Sequence, residues 1–380
     1  MNDYIALAVP FFFVLIGVEL VWARAKKQRV YRFADSITDL ACGVTSQATG
    51  LFFVATQLAI YAWLHDCSLI KFQSGWVPWV VAFVGVDFLY YWWHRASHEV
   101  NFFWAAHIVH HQSEDYNLAV ALRQSVLTSW TALPFYLPLA LVGVPPLVFA
   151  TTHAFSTLYQ FWIHTKLVGK ARGPVDWILN LPSHHRVHHA INPEYLDKNY
   201  GATLIVWDRL FGTYAEEIAT PVYGITKPLA SFNPIWAQVH YWPEMLDMAR
   251  RARGIDKLRV WIASPAWKPR EAKAKATPLD DEARAASVAA MLGRAKFDCP
   301  PLSGRVTFYV SVQFTLVVAL TFSMLMWRSQ LSMRMLLAGA AIVILSLMAL
   351  GALMERKRWA LAAESSRLAF AAAAVVVFLV

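Results

Sequence analysis

The chain has 380 residues, of which 57% are apolar and only 16% charged, and its mean hydropathy is +0.40. A soluble domain of this length cannot bury that much apolar surface, so the excess faces lipid and a water-soluble enzyme is excluded. The formal net charge of +9 fits the cytoplasmic surplus of Lys and Arg in membrane proteins. No compact basic segment carries interleaved aromatics, so no nucleic acid partner is expected.

A crossing needs about 20 predominantly apolar residues. Such stretches fall at about 4–23, 40–64, 75–93, 126–143, 147–165, 305–327, 333–354 and 366–380. The first opens with Asn2 and Asp3 and is followed by Trp22, Arg24 and Lys26. It therefore reads as a retained span rather than a signal peptide. Pro134, Pro138, Pro145 and Pro146 break the fourth and fifth, which leaves room for a re-entrant hairpin. Cys42, Cys67 and Cys299 lack CxxC spacing and form no framework.

Loop charges set the orientation. Arg24, Lys26, Lys27, Arg29 and Arg32 put the first loop in the cytoplasm, whereas the next carries only Lys71 and lies outside. The third span then delivers Tyr90 to His98 to the cytoplasmic face. Arg356, Lys357 and Arg358 agree with this count; Arg328 and Arg334 do not. Residues 166–304 are the one long polar stretch and are expected to form a cytoplasmic cap, with a solvated or interfacial helix over Glu271–Lys296. No internal repeat is visible.

The 13 histidines are clustered rather than scattered. His94 and His98 are spaced i, i+4 and share a helix face. His107, His110 and His111 are spaced i, i+3, i+4, and His185, His188 and His189 repeat that pattern. His184 adjoins the last cluster, and His164 stands alone at the end of the fifth span. Imidazole suits iron, zinc and copper, and this many rings exceed the four to six positions of one metal, so a dinuclear site is expected. Zinc would close with about four ligands, and the Glu-rich pattern of soluble di-iron bundles is absent. Asp87 lies two turns before His94, where an intramembrane acid is a functional suspect and a natural partner for a ligand N–H. His65, His153 and His240 are read as ordinary satisfied polar residues, and Trp92, Trp93, Trp104 and Trp162 as interfacial anchors.

At these residues the chain resembles the fatty acid hydroxylase and sterol desaturase superfamily of membrane di-iron enzymes. The resemblance rests on His94-Arg-Ala-Ser-His98, the two His-x-x-His-His motifs and the run from Tyr200 to Thr213, about residues 85–215. Ser113 to Leu118, Ala121 to Ser125, Tyr159 to Thr165, Pro182 to His189 and Asp197 to Tyr200 look like the alkylglycerol monooxygenase family within it. The resemblance implies an all-α, multi-pass transmembrane bundle whose cytoplasmic helical cap holds two iron ions. It implies ligands at His94, His98, His107, His110, His111, His164, His185, His188 and His189, with His184 a further candidate. It also implies an important glutamate after the first cluster, here Glu99; with Asp87, singled out by its position, it makes the pair of candidate catalytic residues.

The implied reaction uses O2 to hydroxylate the carbon next to the ether oxygen of a glyceryl ether lipid, releasing a fatty aldehyde. A tetrahydropterin is the implied reductant, and Glu99, Tyr116, Asn117, Arg123 and Gln124 are candidates to hold it or the glycerol head group. The haem-binding His-Pro-Gly-Gly segment of cytochrome b5 is absent, so the electron donor is expected to be separate. Another lipid hydroxylase or desaturase of the superfamily, acting on a fatty acyl, ornithine lipid, sterol or carotenoid chain, stays open, as does a metal transporter. The chain divides into N-terminal spans (1–74), a fatty acid hydroxylase-like catalytic domain (75–240), a cytoplasmic basic helical segment (241–304) and C-terminal spans (305–380).

Overall fold

The computed structural model describes residues 4–72, 75–270 and 281–379. In chain order the helices are α1 (Tyr4–Ala25), α2 (Phe33–Gly50), α3 (Val54–Asp66), α4 (Val77–Glu99), α5 (Asn101–His111) and α6 (Leu118–Ala121). Then come α7 (Thr128–Leu141), α8 (Pro146–Trp162), α9 (Pro174–Ile178), α10 (Pro182–His188), α11 (Val206–Phe211) and α12 (Pro234–Val239). The chain ends in α13 (Tyr241–Arg251), α14 (Asp256–Ile262), α15 (Asp281–Leu292), α16 (Gly304–Met326), α17 (Met333–Met354) and α18 (Ala360–Leu379). Among the described residues there is no strand, only the isolated bridges Leu179–Leu204 and Ala190–Tyr223. Of the helix expected over Glu271–Lys296, residues 271–280 lie outside the described residues and α15 covers the middle.

Among the described residues, fewer helices can cross a bilayer than the apolar stretches suggested. Leu7–Ala25, α16 and α17 are long and apolar enough, and α2 with α3 adds a fourth if that pair, bent by 60°, is one span. The expected span over 40–64 is thus broken where α2 ends at Gly50. α7 and α8 have 14 and 17 residues, short of the roughly 20 a crossing needs. Pro134 and Pro138 weaken α7 by removing backbone donors. Gly143, at φ +96°, turns the chain between the two helices in a conformation that favours glycine. α4 is long, but Asp87 and a final stretch of Tyr, Trp, His and Arg dilute its apolarity.

The two largest apolar cores hold most of the long helices. Ala41, Ala48, Phe314, Val317, Val343, Leu347 and Leu350 join α2 to α16 and α17. Tyr61, Ala82, Val86, Trp93, Tyr136 and Phe149 join α3, α4, α7 and α8. Carboxylates tie the spans to the polar body. Glu19 of α1 accepts from the Leu118 amide at 2.8 Å, the Thr165 hydroxyl at 2.5 Å and the Tyr31 hydroxyl. Glu355, after α17, accepts from Ser231 Oγ at 2.7 Å and the Phe232 amide at 2.5 Å.

α2 approaches the loop after α6 closely at Gly43, where a Cβ would sit 2.2 Å from the Leu122 carbonyl oxygen. Gly43→Ala is therefore expected to cost about 1–3 kcal/mol through overpacking. A melt of the purified variant in detergent checks this. Gly50→Ala is the control, because open space surrounds Gly50.

Candidate metal centre

Nine of the ten candidate histidines gather into two adjacent groups, His94, His98, His107, His111 and His188 in one and His110, His164, His185 and His189 in the other. Within each group the nearest ring nitrogens all lie within 4.8 Å of one another. The last two turns of α4 supply His94 and His98, and His164 follows α8 directly. α5 and α10 each serve both groups. In α5 the i, i+4 pair His107 and His111 joins the first group and His110 the second. In α10 and its C-cap the pair His185 and His189 joins the second group and His188 the first. The groups touch: the His111 and His189 rings are 4.4 Å apart, and those of His185 and His188 are 5.1 Å apart.

Backbone carbonyls orient these rings. Nδ1–H donates to the Tyr200 carbonyl from His94 at 2.8 Å, to Arg123 from His110 at 2.9 Å, to Gln160 from His164 at 2.7 Å and to Lys198 from His188 at 3.0 Å. A carbonyl can only accept, so each of these rings carries its proton on Nδ1 and presents an Nε2 lone pair inward. Nε2–Nε2 separations are 3.1 Å for His94–His107 and His107–His111, and 3.2, 3.0 and 3.2 Å for His110–His164, His164–His185 and His185–His189.

The pair His110–His164 is decisive. Both Nδ1 atoms are committed as donors, so two lone pairs face each other at 3.2 Å. Neither ring relieves this by protonation, because burial pushes His110 down to about 4 and His164 well below its ordinary value. A cation between the lone pairs removes the repulsion. With metal–nitrogen bonds of about 2.05 Å, octahedral and tetrahedral edges are about 2.9 and 3.3 Å, which brackets the observed spacings. His98 Nε2 and His188 Nε2 are also buried without a protein partner, as ligand atoms awaiting a cation are.

Carboxylates hold the loops that supply those carbonyls. Asp87 accepts from the amides of Thr203 at 2.7 Å and Leu204 at 3.1 Å and from Trp207 Nε1 at 2.9 Å. It thus braces the loop of Tyr200 and does not touch an imidazole. Asp208, which spacing did not single out, accepts from the amides of Tyr200 and Gly201, both at 2.7 Å. Burial pushes its carboxyl up to about 6.

Arg123 is a buried strut. Its guanidinium donates to Val109 O at 2.8 Å, Asp39 Oδ1 at 2.9 Å and Gln112 Oε1 at 2.6 Å. It thereby clamps α5 to α2 while its own carbonyl holds His110. The other expected cofactor residues also meet protein. The Tyr116 hydroxyl donates to Ile163 O and its ring stacks on His164; the Asn117 amide donates to Val30 O; the Gln124 amide donates to Ala121 O. Glu99 faces outward, paired with Arg95 at 2.9 Å. The tenth histidine, His184, lies outside both groups, with Nε2 3.1 Å from the Asp176 carboxylate and Nδ1 accepting from the Leu181 amide. His153 packs on Tyr136 and Phe149, and His240 lies beside Gln112.

Residues 79–213, which contain every histidine of both groups, match the fatty acid hydroxylase family. Over 361 residues, covering 93% of this chain and 78% of the relative, the sequence is 40% identical to alkylglycerol monooxygenase of Danio rerio. The chain belongs to the alkylglycerol monooxygenase family. It is also 38% identical to the Homo sapiens member, with 96% of this chain and 81% of that one covered, and 37% identical to the Xenopus tropicalis member, with 96% and 80% covered. No solved structure matches. Family likeness thus extends beyond the histidine-bearing segment to nearly the whole chain, C-terminal helices included.

Two outcomes follow from the geometry. Asp87→Asn weakens the brace on the Tyr200 loop and loosens His94, so metal affinity is expected to fall about 10- to 100-fold, measured by competitive chelation. The metal-free protein is expected to lose stability as pH falls. Above the ordinary histidine value of 6.5, His110 and His188 are neutral in both the folded and the unfolded chain. Below it the unfolded chain takes up protons that folded His110 and His188, pushed down to about 4 and about 3, refuse. Melting temperature should therefore drop steadily from pH 6.5 toward 4 and stay flat from 6.5 to 8.

Proposed function

We propose that this chain is an O2-dependent lipid monooxygenase that hydroxylates the carbon next to the ether oxygen of glyceryl ether lipids. Family membership supports the substrate, and the facing lone pairs of His110 and His164 support a metal centre. Two iron ions are the proposed occupants, held by His94, His98, His107, His111 and His188 and by His110, His164, His185 and His189. When bound and reduced, iron supplies the activation of O2. One oxygen atom enters the lipid C–H bond, and two electrons and two protons carry the other to water. The product is a hemiacetal, which collapses to a fatty aldehyde and a free glycerol hydroxyl.

The protein's own work is to fix and exclude. Carbonyls of Tyr200, Arg123, Gln160 and Lys198 hold four imidazoles in one tautomer, and burial keeps the rings neutral and therefore able to ligate. The same burial keeps bulk water from the centre. Tyr116, Asn117, Arg123 and Gln124 are engaged by the protein, so they do not fit as a reductant pocket; Glu99 is the most exposed of the five candidates. A separate donor, a tetrahydropterin, is proposed on resemblance alone.

A cytoplasmic position for the centre is supported by charge. Arg32, which follows the basic end of α1, pairs with Asp115 at 2.9 Å and donates to Phe297 O at 2.6 Å just before α16. Glu355, beside Arg356, Lys357 and Arg358, holds Phe232. Both basic helix ends thus meet the body that carries the histidines, as the positive-inside rule requires of a cytoplasmic face.

Purified protein is expected to release fatty aldehyde from an alkylglycerol under O2, with tetrahydropterin outperforming ferredoxin, by mass spectrometry of extracted lipid. A retained hydroxyl or a new double bond instead would assign it to another hydroxylase or desaturase reaction. His110→Ala is expected to abolish turnover and lower bound iron by elemental analysis; retention of both would refute the site.

A further inference from the structure

The hairpin of α13 and α14 has no part in the metal centre, yet it is built to two different environments at once. One side is a small core: Met245, Ala252 and Val260 bury against Ala105 of α5. Asn101, at the start of α5, donates its side-chain amide to Val260 O at 2.7 Å and its backbone amide to Ala263 O at 2.9 Å. The Tyr241 hydroxyl donates to Asn101 Oδ1 at 2.6 Å. The hairpin is therefore fixed to the helix that carries His107, His110 and His111.

The opposite side is apolar and bare. Ile255, Leu258 and Ile262 are 56%, 63% and 68% exposed, and their i, i+3, i+7 spacing puts them on one stripe. Large aliphatic side chains this exposed, three in a row, mark a contact surface rather than a solvated face. Exposed Arg259, 3.4 Å from Asp256, lies next to the stripe, exposed Lys257 lies further round the same helix, and exposed Arg250 and Arg251 end α13. From 241 to 270 there are seven Lys and Arg against three Asp and Glu.

We propose that the α13–α14 hairpin docks on an anionic lipid surface, with Ile255, Leu258 and Ile262 entering the acyl boundary and the basic side chains meeting lipid phosphates. Three observations select lipid over another protein. The chain already has spans that fix it in a bilayer. An apolar stripe edged by Lys and Arg is the pattern of interfacial helices. The hairpin also continues from α12, whose exposed Trp236 lines a cavity of about 360 Å³ with Glu355, Lys357 and Trp359, immediately past the end of the span α17, where tryptophan and lysine mark the membrane interface. Because the hairpin grips Asn101, docking it also fixes the depth of α5 relative to the lipid.

The test uses the full chain in lipid nanodiscs, with Cys67→Ser and Cys299→Ser as background and an environment-sensitive fluorophore on Leu258→Cys. A probe on Glu216→Cys, an exposed acidic position, serves as the water-facing control. The Leu258 probe is expected to shift to the blue and be quenched by nitroxide-labelled lipid, more so in discs of phosphatidylcholine with phosphatidylglycerol than of phosphatidylcholine alone. Arg250→Glu with Lys257→Glu should reduce that anionic preference by about fivefold per residue with bound iron unchanged. A probe that stays in water in both discs overturns the proposal. So does shielding without lipid quenching, which would mean that a second copy or another protein covers the stripe.

Discussion

Four of the nine rings at the candidate metal centre are set by one kind of contact, a ring N–H given to a backbone carbonyl. An imidazole has two nitrogens and, when neutral, one proton. Spending that proton on Tyr200, Arg123, Gln160 or Lys198 decides which nitrogen is left to bind, and it fixes the ring plane as well. The result is a set of lone pairs brought to about van der Waals distance in a buried place. A cation placed between such lone pairs would relieve the repulsion.

Because the orienting groups are carbonyls, their loops must be rigid, and the chain uses buried charge for this. Asp87 and Asp208 each gather backbone amides of the segment from Tyr200 to Leu204. Arg123 links α2, α5 and its own loop. A buried ion removed from water is costly unless its hydrogen bonds are met; here each meets three, and the gain is positional. The spans contribute in the same way, since Glu19 and Glu355 reach from helix ends into the polar body.

The histidine motifs were legible because i, i+4 spacing has a direct geometric meaning on a helix. Spacing could not say that the i+3 member of each His-x-x-His-His motif serves the other group, since that depends on how α5 and α10 face each other. Nor could it separate His184 from His185: adjacent residues on a helix point about 100° apart, and only the packed structure shows which one turns inward. The carbonyl acceptors left no trace in the sequence, because every residue has one. Arg123 and Asn117 looked like ligand contacts for a related reason, as a polar side chain near a cluster reads the same whether it meets substrate or backbone. The excess of expected spans came from apolar stretches whose helices stop short: α7, with Pro134 and Pro138 inside it, has 14 residues and α8 has 17, as the prolines around them had hinted.

The exchange of histidines between α5 and α10 has a wider implication. Each helix contributes to both centres, two rings to one and a single ring to the other. Sliding or rotating either helix disturbs both groups together, even though α4 serves only the first group and His164 only the second. Moving α5 or α10 to suit one group therefore cannot leave the other unchanged; the pairing of the two histidine groups is built into two shared helices.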